Sequence, residues 1–305
     1  MSIRDTFDLS IKKAQTGETK ANKFYELGNR RYEKYIDNET WDAFVKEMRT
    51  NYSQAYKEYS QGSGDELGIK KILRRPPKMA SYGSSSRMIY LLSRDIPNFC
   101  FEKKLPTTVG GIANMDGYLI CNNTHFYIEA KCGEPYSLSL KSKKLYKIER
   151  KYEALYRYLD QDTNIDFNCE ITIIDDIDMV VRFFANGEEI TRFDIKQMIS
   201  HLLGVATENL KFLAEEKTRF LYLLYDPRQL EIIDSKHQTE IFSIYDIEIS
   251  ECDRIPFDDL YNSIVQYLYK YEGICSTSES IVKKISGNFA FMRCDQISYR
   301  NLLEC

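Results

Sequence analysis

The chain has 305 residues, and 43% of them are of hydrophobic type, which is enough to bury a core in one large domain or two smaller ones. Its 42 Lys and Arg residues against 46 Asp and Glu residues give a formal net charge of -4, which excludes the strongly basic character of a nonspecific nucleic-acid binder. The 8 cysteines are scattered and no apolar run approaches the ~20 residues of a membrane helix, so we expect free thiols, a reducing cytoplasmic location and no membrane partner.

Residues 1–80 are predicted to be helical. Between positions 38 and 59 apolar side chains recur every three or four residues, as on one face of an α-helix. They are Trp41, Val45, Met48, Tyr52, Ala55 and Tyr59. Gly62 and Gly64 predict the end of this helix, and the Arg-Arg-Pro-Pro stretch at 74–77 predicts a further break. We therefore expect an N-terminal helical region over 1–80 that packs on the core or is hinged to it.

A helix, a strand and a hairpin are predicted next. The serines at 84–86 are suited to cap a helix that ends before Pro97. Residues 98–105 alternate between apolar and polar types, as in a strand. A glycine-containing connection over 106–114 then leads into the stretch DGYLICNNTHFYIEAK at 116–131.

The segment beyond this stretch contains further helices and strands. The spacing of Leu145, Ile148, Tyr152, Leu155 and Leu159 predicts a helix over 139–159. The other predicted elements are strands over 170–174 and 179–184 with an Asn186-Gly187 turn, a helix over 194–203 ending at Gly204, a buried strand over 218–225 and a helix over 257–271. We therefore expect a core over 81–250 with an insertion at 135–190, and a helical C-terminal extension over 251–305.

The stretch at 116–131 has an acidic residue near each end. If Asn122 and Asn123 form a two-residue hairpin turn, Asp116 falls directly opposite Glu129. Two carboxylates ~5 Å apart repel each other unless a cation lies between them. Lys131 is two residues beyond Glu129 and shares its face of the strand. This face gathers two carboxylates, the ligands that Mg²⁺ prefers, and an ammonium that could position a water or balance charge.

Spacing alone does not establish such a site. An Asp followed about a dozen residues later by Glu-x-Lys arises by chance in a charged chain of this size. An ordinary surface strand pair is the alternative interpretation. The predicted turn, the apolar opposite face and the surrounding helices and strands favour a site.

Met115-Asp116 and Ile128-Glu-Ala-Lys131 resemble the signature of the PD-(D/E)XK nuclease superfamily, the restriction-endonuclease-like fold. The resemblance covers residues 84–225, with Met115 where the superfamily often has Pro. It implies an α/β fold with a central mixed sheet flanked by helices, here with helical N- and C-terminal additions. It also implies Mg²⁺, with Mn²⁺ as a substitute, held by Asp116, Glu129 and the Ala130 carbonyl. Lys131 would orient the attacking water.

A second resemblance lies in the helix predicted over 194–203. Gln197 and His201 are four residues apart and share one helix face. They are similar to the Gln-x-x-x-Tyr helix of some exonuclease branches, with His201 in place of Tyr, so Gln197 joins the expected catalytic residues. His201 would touch a substrate phosphate or support the site, or would be a core histidine. Glu102 is an accessory candidate, although an ion pair with a neighbouring lysine, Lys103 or Lys104, is the favoured interpretation.

The sequence thus predicts a Mg²⁺-dependent nuclease that hydrolyses phosphodiester bonds, with DNA favoured over RNA, of a restriction, repair or defence type. The alternatives are a catalytically inactive nuclease-fold protein that binds DNA or protein, and a purely structural α/β protein. A homodimer is one expectation for an enzyme that cuts both strands.

Overall fold

The fold is described from a computed structural model of the chain. The described residues are 36, 38–62, 66–68, 77–81, 84–132, 146–226, 228, 235–274 and 278–303. The predicted break at 74–77 falls largely outside these ranges, as does the first part of the helix predicted over 139–159.

The described residues form a mixture of helices and strands. The helices are α1 (Asn38–Asn51), α2 (Ser53–Gln61), α3 (Ser85–Ser93), α4 (Glu153–Gln161), α5 (Ile195–Phe212), α6 (Ser235–Arg254), α7 (Phe257–Tyr271), α8 (Glu279–Gly287) and α9 (Ser298–Leu302). The strands are β1 (Cys100–Pro106), β2 (Ile112–Cys121), β3 (Thr124–Lys131), β4 (Tyr146–Glu149), β5 (Phe167–Ile173), β6 (Asp178–Ala185), β7 (Glu188–Glu189), β8 (Lys217–Leu224) and β9 (Phe289–Cys294). The predicted α/β class is confirmed.

The helical face predicted near the N-terminus is present, but it is divided between two helices. Its buried residues are Trp41, Met48, Ala55 and Tyr59. The chain breaks at Tyr52, between α1 and α2, and α2 ends before Gly62 as predicted. Helix α2 packs on β1. The N-terminal helices therefore cover one edge of the sheet.

A five-stranded mixed sheet lies at the centre of the protein, in the order β1-β2-β3-β8-β9. Strands β1, β2 and β3 are antiparallel neighbours, whereas β3, β8 and β9 run parallel to one another. Strand β9 lies within the segment predicted as a helical C-terminal extension. That prediction is incomplete, because the short β9 has no clear alternation of buried and exposed residues.

Both faces of this sheet are buried. The core on the α5 side contains Leu105, Met115, Tyr127, Leu202 and Phe220, among others. The core on the α3 side contains Ile89, Phe101, Leu119, Ile128 and Leu221, among others. Successive residues of β8 alternate between the two cores, so the prediction that this strand is covered on both faces is confirmed.

The insertion forms a smaller antiparallel sheet in the order β4-β6-β5, with β7 paired to β6. Part of the helix predicted over 139–159 is therefore wrong. Residues 146–149 form β4, where buried Tyr146 and Ile148 alternate with exposed Lys147 and Glu149. The helical spacing of Leu155 and Leu159 is correct, and both lie in α4.

Helix α5 continues through Gly204, which was predicted to end it. An added Cβ at Gly204 would lie 2.9 Å from Leu105 Cβ and 3.0 Å from Ala113 Cβ. The glycine therefore allows close approach of α5 to β1 and β2 rather than a helix end. The predicted N-terminus is correct, because the Asp194 side chain caps the helix.

The cysteine prediction holds only in part. Cys100, Cys132, Cys169, Cys252 and Cys294 are free thiols. Cys121 is disulfide-bonded, contrary to the prediction, because the spacing of cysteines along a sequence does not determine which of them the fold brings together. Within the described ranges, none of the helices combines the length and the apolar character that crossing a bilayer requires.

Candidate active site

The hairpin at 116–131 has the predicted turn and register. Asn122 and Asn123 have positive φ angles of 48° and 55°, as a two-residue turn requires. Strands β2 and β3 pair from Cys121↔Thr124 to Gly117↔Ile128. Pairing ends one position before Asp116 and Glu129. Since β2 continues along β1 as far as Pro106↔Ile112, β2 separates from β3 at Asp116.

Asp116 occupies the point of separation. Its Oδ2 accepts a hydrogen bond of 2.8 Å from the Ala130 N–H. The Asp116 side chain therefore replaces the backbone carbonyl of β2 that would accept this bond in a continuous ladder. Burial of the carboxylate, and then the negative charge of Glu129, raise the pKa of Asp116 well above its usual range. Lys131 and the Ala130 hydrogen bond oppose this shift.

At Glu102 in β1 and at Asp116 in β2, the side chains that pointed to one face of the sheet begin to point to the other. Ladder pairs Phe101↔Gly117 and Lys103↔Met115 flank them, so Glu102 lies opposite Asp116. Phe101 packs in the α3-side core, but Lys103 forms an ion pair with Glu208 on α5. Residues two apart on a regular strand point to the same face. The positive φ of 55° at Glu102 breaks this alternation.

Glu102 is itself strained and close to other acids. A non-glycine residue in the left-handed region costs of order 1 kcal/mol, a feature that concentrates at functional sites. Its Oε2 would lie 3.1 Å from a Cβ added at Gly62, so it packs against the end of α2. Burial, and then the charge of Glu66, raise the pKa of Glu102 to about 7. When Glu102 ionises, its charge in turn raises the pKa of Asp116.

The ion pair predicted for Glu102 with a neighbouring lysine is wrong. Lys103 pairs with Glu208 at 2.8 Å, and Lys104 Nζ donates to the Gln61 carbonyl at 3.0 Å. Glu102 forms no ion pair with either lysine in the described part of the chain, although the charge of Lys104 opposes the rise in its pKa. The acid that most raises the pKa of Glu102 is one that the sequence did not indicate. Glu66 is 4% exposed, and its Oε1 lies 3.1 Å from Lys78 Nζ.

Glu129, Lys131 and Gln197 form one buried network. Lys131 Nζ lies 2.7 Å from Glu129 Oε1 and donates to Gln197 Oε1 at 2.7 Å. Glu129 is 2% exposed and Lys131 is 9% exposed. Gln197 stands on the first turn of α5, where Asp194 Oδ1 accepts its backbone N–H. The predicted catalytic lysine is thus held between a carboxylate and an amide.

His201 lies one turn further along the same face of α5. It is 3% exposed, and its Nδ1 is 3.4 Å from Glu129 Oε2. This nitrogen has no hydrogen-bond partner in the described part of the chain. Burial lowers the pKa of His201, and the charge of Glu129 partly offsets this effect. The imidazole is therefore neutral near pH 7.

The donor chemistry of the site fits a divalent cation. Asp116 and Glu129 contribute two carboxylates, and Lys131 is the ammonium that contacts Glu129 and opposes the rise in the pKa of Asp116. Within the described residues, however, no three His, Cys, Asp or Glu side chains are grouped so as to hold a metal ion. Asp116 instead contacts Ala130 and Glu129 contacts Lys131. Metal binding at these residues therefore requires a rearrangement of their side chains.

No protein-family model, curated protein or solved structure matches the chain. The functional interpretation therefore depends on the site itself. Asp116, Ala130, Glu129, Lys131 and Gln197 meet at the separation of β2 and β3. The accessory candidates Glu102 and His201 border the same place from opposite sides. Glu66 is the addition that sequence reasoning missed, because it lies in a short segment without hydrophobic periodicity.

Proposed function

We propose that this protein is a divalent-metal-dependent nuclease that hydrolyses phosphodiester bonds, with DNA as the substrate. One observation carries the proposal. Asp116, Glu129 and Lys131 of the hairpin converge with Gln197, which lies 66 residues beyond Lys131, where β2 separates from β3. The central mixed sheet flanked by helices agrees with the fold that the resemblance to PD-(D/E)XK nucleases implies.

The roles of the residues follow from their positions. Asp116 and Glu129 would hold the ion, Mg²⁺ or Mn²⁺, together with the Ala130 carbonyl. When bound, such an ion supplies positive charge to the phosphate and lowers the pKa of a water. Lys131 orients the attacking water from its place beside Glu129, and Gln197 fixes the ammonium in that place. A bound cation would offset the repulsion among the acids.

One observation favours a second candidate, a noncatalytic nuclease-fold module that binds DNA or protein. Glu129 and Lys131 already neutralise each other, and the described residues hold no trio of metal-ligating side chains. Such a module would bind its partner without metal and would not cut. The enzyme is the better proposal. A structural ion pair between Glu129 and Lys131 does not explain why Glu102, with its strained backbone, lies opposite a second acid, Asp116.

The test is a cleavage assay with supercoiled plasmid, single-stranded DNA and RNA in Mg²⁺ or Mn²⁺. We compare the wild-type protein with Lys131→Met and with the matched control Lys103→Met. Lys103 is a lysine of the same sheet, and its ammonium pairs with Glu208 on α5. Loss of a positioned charge at a reacting centre costs at least about 100-fold in rate. We expect that loss for Lys131→Met and less than about twofold for the control. Equal cleavage by both variants would refute the proposal, and DNA binding without cleavage would favour the module.

A further inference from the structure

Arg192 is a buried arginine whose charge is not balanced. Only 8% of the residue is exposed, and its Nη1 is buried without a hydrogen bond. The described part of the chain gives its guanidinium neither a hydrogen bond nor an ion pair. By contrast Arg87, the other buried arginine of these ranges, donates from its Nη1 to the Met79 carbonyl at 2.7 Å. Arginine is always charged, and an unpaired buried charge destabilises a fold, so Arg192 requires a function that offsets this cost.

The acids that border Arg192 bind other groups. Glu251 on α6 accepts hydrogen bonds of 2.7 to 2.9 Å from the three backbone N–H groups of residues 191–193. Asp194 Oδ1 accepts the Gln197 N–H at the start of α5. Glu251 is 3% exposed. It therefore fixes the backbone of the segment from inside the protein and leaves the guanidinium of Arg192 for another anion.

The same segment leads into the candidate active site. It ends where α5 begins, and Gln197 on the first turn of that helix accepts a hydrogen bond from Lys131. The Phe193 carbonyl accepts a hydrogen bond of 2.6 Å from the Tyr146 hydroxyl, so the small sheet also holds the segment. Arg192 thus lies on a fixed corner of the chain, five residues before a predicted catalytic residue.

We propose that Arg192 binds a backbone phosphate of DNA, as a phosphate subsite on the segment that leads into the candidate active site. The inference rests on the proposed function only in taking DNA as the ligand. The planar guanidinium matches two phosphate oxygens with parallel, charge-assisted hydrogen bonds. A segment that is fixed before the ligand arrives loses little conformational entropy on binding. The phosphate supplies the negative charge that the free protein lacks at Arg192.

The experiment measures DNA binding in chelator, so that neither metal nor cleavage affects the result. Fluorescence anisotropy of a labelled DNA duplex gives the Kd at several salt concentrations for the wild type and for Arg192→Met. Methionine keeps an apolar stem in place of the arginine stem and removes the charge. The matched control is Arg182→Met, because Arg182 forms ion pairs with Glu170 and Glu189.

We expect Arg192→Met to bind DNA at least about tenfold more weakly, as for the loss of a hydrogen bond between charged groups. The slope of log K against log salt concentration should become shallower by about 0.9, the value for one phosphate contact on duplex DNA. The control should stay within about twofold of the wild type. Without DNA, Arg192→Met should unfold at the same temperature as the wild type or a higher one, because it removes an unpaired buried charge.

The outcomes separate this inference from the proposed function. Wild-type affinity and salt slope in Arg192→Met would overturn the inference and leave the proposed nuclease intact. Unfolding of Arg192→Met well below the wild-type temperature would also overturn it, because the guanidinium would then serve the fold. A wild-type protein that binds no DNA in chelator would overturn it as well, and the cleavage assay would still decide the proposed function. DNA binding through Arg192 without any cleavage would support the subsite and contradict the nuclease.

Discussion

The carboxylate of Asp116 accepts a hydrogen bond from the Ala130 N–H at 2.8 Å, across the point where β2 leaves β3. The side chain that is proposed to bind metal therefore also joins the two strands. Asp116→Asn keeps the acceptor oxygen and removes the charge, whereas Asp116→Ala removes both. Structure and catalysis can thus be separated at one position.

We expect Asp116→Asn to be at least as stable as the wild type at pH 7.5 in the absence of metal, because burial and Glu129 disfavour the charged form of Asp116. Asp116→Ala should lose about 1 kcal/mol for the unpaired Ala130 N–H. Urea unfolding measures both, and both variants should fail to cut. An Asp116→Asn protein that cuts at the wild-type rate would contradict the metal-binding role.

Gln197→Ala should reduce cleavage by about 10- to 100-fold, because Lys131 loses the amide oxygen that holds its ammonium. The free energy of unfolding should change little. The matched control is Lys196→Ala on the same helix turn, whose Nζ donates to the Lys147 carbonyl away from the site. Steady-state rates for the two variants check the prediction. Equal rates would mean that Gln197 only fills space beside Lys131.

Gly204→Ala should impair both folding and cleavage. The new Cβ would approach Leu105 Cβ to 2.9 Å, so α5 must move off the sheet and carry Gln197 and His201 with it. Overpacking of this kind costs about 1–3 kcal/mol. The control Gly287→Ala sits in α8, where an added Cβ meets no atom within 4 Å. Thermal unfolding of both proteins tests this, and an unchanged Gly204→Ala protein would contradict it.

Glu102→Gln should stabilise the metal-free protein at neutral pH but not at acidic pH. The pKa of Glu102 is raised from its usual 4.5 to about 7, so the folded protein retains a proton that the unfolded chain releases. Wild-type stability therefore falls as pH rises from about 4.5 to 7, and glutamine removes this loss.

The full shift of Glu102 corresponds to about 3 kcal/mol, and partial exposure reduces the expected gain at pH 8 to about 2 kcal/mol. Urea unfolding in chelator at pH 5 and pH 8 measures it. The two proteins should differ by less than about 1 kcal/mol at pH 5, because most of the loss develops between pH 5 and pH 7. A gain of the same size at both pH values would show that the charge of Glu102 is not responsible.

Where local sequence patterns determine the structure, the predictions from the sequence were correct. The Asn122-Asn123 turn fixes the hairpin register, and the alternation after it places Ile128 and Ala130 in the α3-side core and Glu129 on the other face. Asp194 marks the start of α5. The helical spacing of Gln197 and His201 then brings both to Glu129 and Lys131.

Tertiary interactions decided what the sequence could not reveal. Residues 146–149 pair with β6, and this pairing overrides a spacing that also suits a helix. Glu102 adopts a positive φ that its residue type does not indicate. Glu66 approaches Glu102 only because α2 packs on β1. Gly204 resembled a helix end, but its role is set by Leu105 on a distant strand.

The most direct test of the proposed nuclease is calorimetric titration of Mn²⁺ into the wild-type protein and Glu129→Gln, with plasmid cleavage measured on the same samples. Glu208→Gln is the control, because Glu208 is a carboxylate on α5 that pairs with Lys103 and Tyr127 instead. We expect saturable binding and cleavage in the wild type and the control, and the loss of both in Glu129→Gln. A wild-type protein that neither binds Mn²⁺ nor cuts DNA, or a Glu129→Gln protein that does both, would contradict the proposal.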